Sequence, residues 1–139
     1  MMKKIIALTA VLAVSGCHMS TNHIRQQGIK TPDASEIKSQ CEAQTPEHIQ
    51  ERETQLWLCQ AVTAIQYRFF DADSYRGKTC DVRIRQPAGE PPVSIDVQAG
   101  DPALCTAAIE SIKQAVEAQT FPMRLAFLKD EFPIHFAPQ

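Results

Sequence analysis

The chain has 139 residues, 44% of them hydrophobic and 22% charged, with a formal net charge of −2. That length holds one small domain and little else. A mildly acidic balance without a basic stripe argues against nucleic acid as a partner.

The first residues read as an export signal. Lys3 and Lys4 precede a small and apolar run from Ile5 to Val14, followed by Ser15-Gly16-Cys17. A positive start, a short apolar stretch and small residues before a cysteine are the parts of a signal peptide. The run falls well short of the roughly 20 apolar residues that a membrane-crossing helix needs. Val14-Ser15-Gly16-Cys17 resembles the bacterial lipobox, in which the cysteine is acylated and becomes the first mature residue. An ordinary secretory signal with a chance cysteine is the plainer alternative. The lipobox implies a signal peptide over residues 1–16 and lipid on Cys17, and two or more acyl chains anchor stably where one is marginal. By analogy with enterobacterial lipoproteins, His18 in second place, rather than an aspartate, implies sorting to the outer membrane, and the domain is expected to face the periplasm. Loss of Lys3 and Lys4 with the signal moves the formal charge from −2 to −4. The mature part contains no second apolar run.

Residues 17–33 are polar and read as a flexible tether from lipid to domain. The domain then occupies residues 34–139. Ser35 to Ala43 suits a short helix. Thr45-Pro46 reads as an N-cap with proline at the first helical position, and Glu47, Glu51 and Glu53 would sit near the positive end of the helix dipole. Leu58, Val62, Ile65 and Phe69 then recur at spacings of three and four, the apolar stripe of one long helix. Trp57 lies beside that stripe, and packing under the short first helix is a better account of it than ligand binding.

Cys80-Asp81-Val82-Arg83-Ile84-Arg85 alternates, with the cysteine and aliphatics on one face and the charges on the other. Val93, Ile95 and Val97 alternate with Ser94 and Asp96 in the same way, and residues 87–92 form a Pro/Gly hairpin loop between the two strands. One sheet face is expected to be buried and the other wet, as in an antiparallel sheet. Gly100-Asp101-Pro102 starts a helix carrying Leu104, Ala108, Ile109, Ile112 and Val116. A short helix over Met123 to Lys129 and a last strand over Pro133 to Phe136 complete the chain. The fold class is α+β, a three-stranded antiparallel sheet with helices on one face.

Beyond Cys17 there remain Cys41, Cys59, Cys80 and Cys105. An even count in an exported chain reads as disulfides, with three connectivities open. No CxxC pair occurs, so neither zinc nor thioredoxin-like chemistry has its usual signature, and no metal or cofactor is expected. Ala72 to Thr79, ADSYRGKT, fits the loosest phosphate-loop pattern, but a true phosphate loop leaves a strand and enters a helix. Here the order is reversed, and Asp71 and Asp73 would repel a polyphosphate. His18, His23, His48 and His135 are scattered, with His18 and His23 in the tether and His48 in the first helical turn. Asp81, Asp96 and His135 share the wet face, but a catalytic trio needs a nucleophile in a partly dry cleft. No enzyme is expected. The candidate partner-binding residues are Asp81, Arg83, Arg85, Ser94, Asp96 and His135, with the backbone of the final strand. A merely solvated sheet face is the alternative.

Two segments resemble a known family. FFDADSYRGKTC, Phe69 to Cys80, and GDPALC, Gly100 to Cys105, look like the signature segments of the TolA C-terminal domain, and DEFPIHFAP, Asp130 to Pro138, is similar to its last strand. The likeness extends over roughly Ala61 to Pro138. It implies a disulfide Cys80–Cys105, which leaves Cys41–Cys59 as the second, an addition that staples an extra N-terminal helix to the module. It also implies a non-enzymatic docking domain whose partners are TolB, translocation domains of group A colicins and the minor coat protein of filamentous phages. Strand addition at the sheet edge is one of its modes. TolA itself works through a transmembrane helix and a long stalk, whereas a tether of about 15 residues would reach only about 20 Å. Two roles therefore stand: a lipid-anchored module engaging such partners, or an accessory subunit of an envelope secretion, pilus or conjugation apparatus.

Overall fold

A computed structural model of the chain describes residues 31–139. The expected signal peptide, Cys17 and nearly all of the tether lie outside the described residues. The elements are helix α1 (Ala34–Gln44), helix α2 (Arg52–Gln66), a 3-10 turn (Ala72–Tyr75), strands β1 (Cys80–Arg85) and β2 (Ser94–Gly100), helix α3 (Pro102–Glu117) and strand β3 (Glu131–Phe136). The three strands form one antiparallel sheet in the order β2-β1-β3. This is the expected α+β architecture.

α1 starts on a capping box. The Asp33 carboxylate accepts from the Glu36 N–H, and the Glu36 carboxylate accepts from the Asp33 N–H. Its inward face is narrow, with only Ile37 and Cys41 buried.

α2 begins later than Thr45-Pro46 suggested. Residues 45–51 turn instead, His48 is exposed in that turn, and Glu51 takes a left-handed conformation (φ 59°) just before Arg52. The Cys41–Cys59 disulfide gives the reason. Cys41 lies about 5 Å from the end of α1, and Cys59 about 10 Å into α2, at 1.5 Å per residue. A helix starting at Pro46 would carry Cys59 about 20 Å from the turn, too far up to face Cys41.

The buried face of α2 is also rotated from the expected stripe. Trp57, Ala61, Ala64 and Ile65 are buried, Phe69 is half-buried, and Leu58 and Val62 are exposed. The two alanines and the opposing Ala108, Ile112 and Ala115 of α3 belong to one core. Small residues let helix backbones approach, so the helix turns its alanines rather than its larger aliphatics inward.

β1 is the central strand, and Cys80, Val82 and Ile84 are fully buried. The Cys80–Cys105 disulfide ties its first residue to the first turn of α3. α3 starts as expected, with the Asp101 carboxylate accepting from the Leu104 N–H at 3.0 Å and Pro102 in the first turn. Its core side chains are Leu104, Cys105, Ala108, Ser111, Ile112 and Ala115, while Ile109 and Val116 are half-buried. Gly100 (φ 132°) joins β2 to α3, and a Cβ there would come within 2.4 Å of the Thr79 carbonyl oxygen.

β2 departs from its expected burial. Of its aliphatic residues Ile95 is half-buried and Val97 is 46% exposed, and Val93, just before the strand, is 55% exposed. As an edge strand beside a central one, β2 extends past the cover of the helices.

The expected helix over Met123 to Lys129 does not form. The Met123 carbonyl accepts the Trp57 indole N–H at 2.8 Å, and the Arg124 carbonyl accepts the Gly89 N–H at 3.1 Å. Those carbonyls serve tertiary contacts rather than helical ones. Trp57 is buried as expected, and the rings packed against it are Phe121 and Phe132, both edge-on.

Candidate functional site

Opposite residues in adjacent antiparallel strands point to the same sheet face. Arg83 sits between Asp96 of β2 and Pro133 of β3, and Arg85 sits between Ser94 and Glu131. Asp81 faces His135, with Asp81 Oδ1 and His135 Nδ1 2.6 Å apart. The structure thus brings all six candidate residues together on the face away from the helices. It adds Pro133 and, because β3 starts two residues earlier than expected, Glu131.

The arginines dominate this face. Both are exposed, and among the described residues neither has an ion-pair partner within 4.0 Å. Each guanidinium keeps planar N–H donors suited to a carboxylate. The backbone of central β1 places them two residues apart on one side, a rigid spacing.

The outer edge of β3, unpaired among the described residues, borders this face. The Gln86 N–H donates to the Asp130 carbonyl at 2.7 Å. In the observed register that bond places Phe132, Ile134 and Phe136 in the hydrogen-bonded pairs with β1. Glu131, Pro133 and His135 then turn their backbone groups outward. Pro133 has no N–H, so the outward donors are those of Glu131 and His135, with carbonyls at all three positions. Behind the edge, on the helix side, lies an open groove of about 490 Å³ lined by Val62, Ile65, Phe69, Ile134, Phe136 and Pro138 among others. The half-buried aromatics Phe69 and Phe136 approach to 5.8 Å between ring centres. The exposed Val62, read as core in the sequence stripe, belongs to this groove.

The phosphate-loop look-alike has another role. Ala72 to Tyr75 is a 3-10 turn, Arg76 pairs with Asp73, and Lys78 lies 3.6 Å from Asp101. The Gly77 N–H donates to the Pro138 carbonyl at 3.3 Å, which ties this lead-in to the end of the chain. Among the described residues no group of three or more His, Cys, Asp or Glu side chains is placed to hold a metal.

A family model described as TolA C-terminal matches residues 42–123, more than half of the chain. The chain belongs to the TolA C-terminal family. This is a family of non-enzymatic binding domains associated with the cell envelope. The match begins earlier than the sequence likeness suggested and ends before β3. It contains both signature segments, the Cys80–Cys105 disulfide and the whole of α2, β1, β2 and α3. Cys41 and most of α1 precede it, so the Cys41–Cys59 disulfide ties a residue just before the match to a helix within it. Both pairings are those the resemblance implied. Among the described residues no helix is long and apolar enough to cross a membrane.

Proposed function

We propose that this protein is a lipid-anchored docking module of the cell envelope that takes an extended, acidic segment of a periplasmic protein along β3. The observation carrying this reading is the open β3 edge, flanked on one side by Arg83 and Arg85 without ion-pair partners and on the other by an apolar groove. A strand added there would hydrogen-bond through its backbone and send alternate side chains to the two sides. Acidic residues would meet the arginines and apolar ones the groove. The partners that fit are a TolB-like protein, the translocation domain of a colicin, or the minor coat protein of a filamentous phage. Occupation of a colicin or phage domain close to the membrane would make the module a decoy. Lipid on Cys17 would hold it at the outer membrane, within about 20 Å of the surface.

The N-terminal helix favours a second reading, an accessory subunit of an envelope secretion, pilus or conjugation complex. An element stapled onto the family module is a ready-made specific contact. Affinity capture with the immobilised chain against purified TolB, colicin translocation domains and phage coat domains separates the two. Binding of one of these, lost on Arg83→Glu/Arg85→Glu, supports the docking reading. Failure of all of them, with an envelope complex co-purifying instead, replaces it with the second.

A further inference from the structure

The two disulfides stand in different surroundings. Cys80 and Cys105 are 0% and 3% exposed, and their bond ties β1 to α3 inside the core. Cys41 is buried as well, at 1%, but its partner Cys59 is half-buried and lines an open groove of about 420 Å³. The 45–51 turn supplies Pro46 and Ile49 to this groove, and α2 supplies Leu58 and Thr63. Among the described residues none that lines it is charged, so no carboxylate repels an approaching thiolate there.

Thr63 is the second observation. Its hydroxyl oxygen lies 3.9 Å from both Cys41 Sγ and Cys59 Sγ. While the bond is closed that hydroxyl faces only weak sulfur acceptors. Once the bond opens it faces a thiolate, and hydrogen bonds to ionised groups are about twice as strong.

We propose that Cys41–Cys59 is a thiol–disulfide exchange site, which an external dithiol opens through Cys59 while Cys80–Cys105 stays closed. Access decides which sulfur is attacked. A thiolate of the dithiol enters the groove and bonds to Cys59 Sγ. The Sγ–Sγ bond breaks, and its electron pair leaves on Cys41. That thiolate accepts a hydrogen bond from Thr63 and is then protonated from solvent. The second thiol of the dithiol gives up its proton and attacks the mixed disulfide, which frees Cys59 as a thiolate that is protonated in turn. The two cysteines end as thiols and the dithiol ends as a disulfide, a transfer of two electrons and two protons. Opening the bond unties α1, which has 11 residues and buries only Ile37 and Cys41. A helix that short is marginal without a tie. The sealed Cys80–Cys105 bond meanwhile holds the sheet to α3. None of this involves the β3 edge, so it holds whether or not the docking reading is correct.

Timed dithiothreitol treatment of the purified chain tests it, with free thiols blocked beforehand and newly exposed ones alkylated and located by peptide mass spectrometry. Cys41 and Cys59 should be labelled at least about tenfold faster than Cys80 and Cys105. Thr63→Val, which keeps the branched shape, should slow that labelling about tenfold, the effect of one lost hydrogen bond to a charged group. Thr63→Ser should retain the original rate. Amide exchange in the partly reduced chain should quicken through Ser35 to Gln44 and stay slow in β1. Equal labelling of all four cysteines, earlier labelling of Cys80 and Cys105, or a rate indifferent to Thr63→Val would each overturn the proposal. So would equal slowing by Thr63→Val and Thr63→Ser.

Discussion

Trp57 and Gln86 hold together parts of the molecule that are far apart in sequence. The Trp57 ring fills the space between Phe121 and Phe132, and its N–H fixes the Met123 carbonyl. Trp57→Phe should keep most of the packing and lose the hydrogen bond, at a cost of about 1 kcal/mol in urea denaturation. Trp57→Ala should cost about 3–5 kcal/mol. Gln86 is fully buried, and its amide N–H groups donate to the carbonyls of Glu90 and Pro122 at 2.9 and 2.8 Å. Gln86→Leu would leave both without that donor and should destabilise by about 1–3 kcal/mol, measured the same way. Neither partner set could be read in advance. A buried glutamine at the end of an alternating strand looks in sequence like one more polar residue, and its carbonyl partners have no residue signature at all. By contrast, the alternation from Cys80 to Arg85 and the Asp101-Pro102 start were legible because each is a local pattern with one physical cause.

At the scale of elements, the N-terminal helix makes the clearest prediction. α1 is short, buries Ile37 and Cys41, and is covalently tied at Cys41 to Cys59. Isolated helices of this length are marginal in water. Cys41→Ser paired with Cys59→Ser should therefore cost about 3 kcal/mol. Amide exchange should quicken through Ser35 to Gln44 while β1 and α3, held by Cys80–Cys105, stay protected. Equal loss of protection everywhere would mean that α1 is part of the core rather than an addition to it. Elements also mark where sequence periodicity misled. Leu58 and Val62 have the right spacing for a core stripe, but small Ala61 and Ala64 won the inward positions because they admit α3 closely. The Met123–Lys129 stretch has helical composition, yet its carbonyls are claimed by Trp57 and Gly89. Val93 and Val97 alternate like core residues in sequence, yet both stand exposed, Val93 just before β2 and Val97 on it. In each case tertiary competition decided, and a single sequence does not display it.

For the whole molecule, one sheet serves two purposes. Its helix side supplies the core, while its outer side gathers Asp81, Arg83, Arg85, Ser94, Asp96 and His135 in one rigid array beside the β3 edge. The faces follow from alternation alone, which is why the array was readable before the fold was known. The backbone of the final strand was named with it, but that its edge lies open with a groove behind it was not readable, because strand order sets both. Family membership and the two disulfides place this array on a stapled binding domain. The most direct test is an NMR titration of the isotope-labelled chain with purified TolB, following backbone amides. The docking account predicts shifts concentrated at Glu131, His135, Arg83 and Arg85, and abolished by Arg83→Glu/Arg85→Glu. Binding whose shifts fall on α1 and the 45–51 turn, with β3 unmoved, would contradict it.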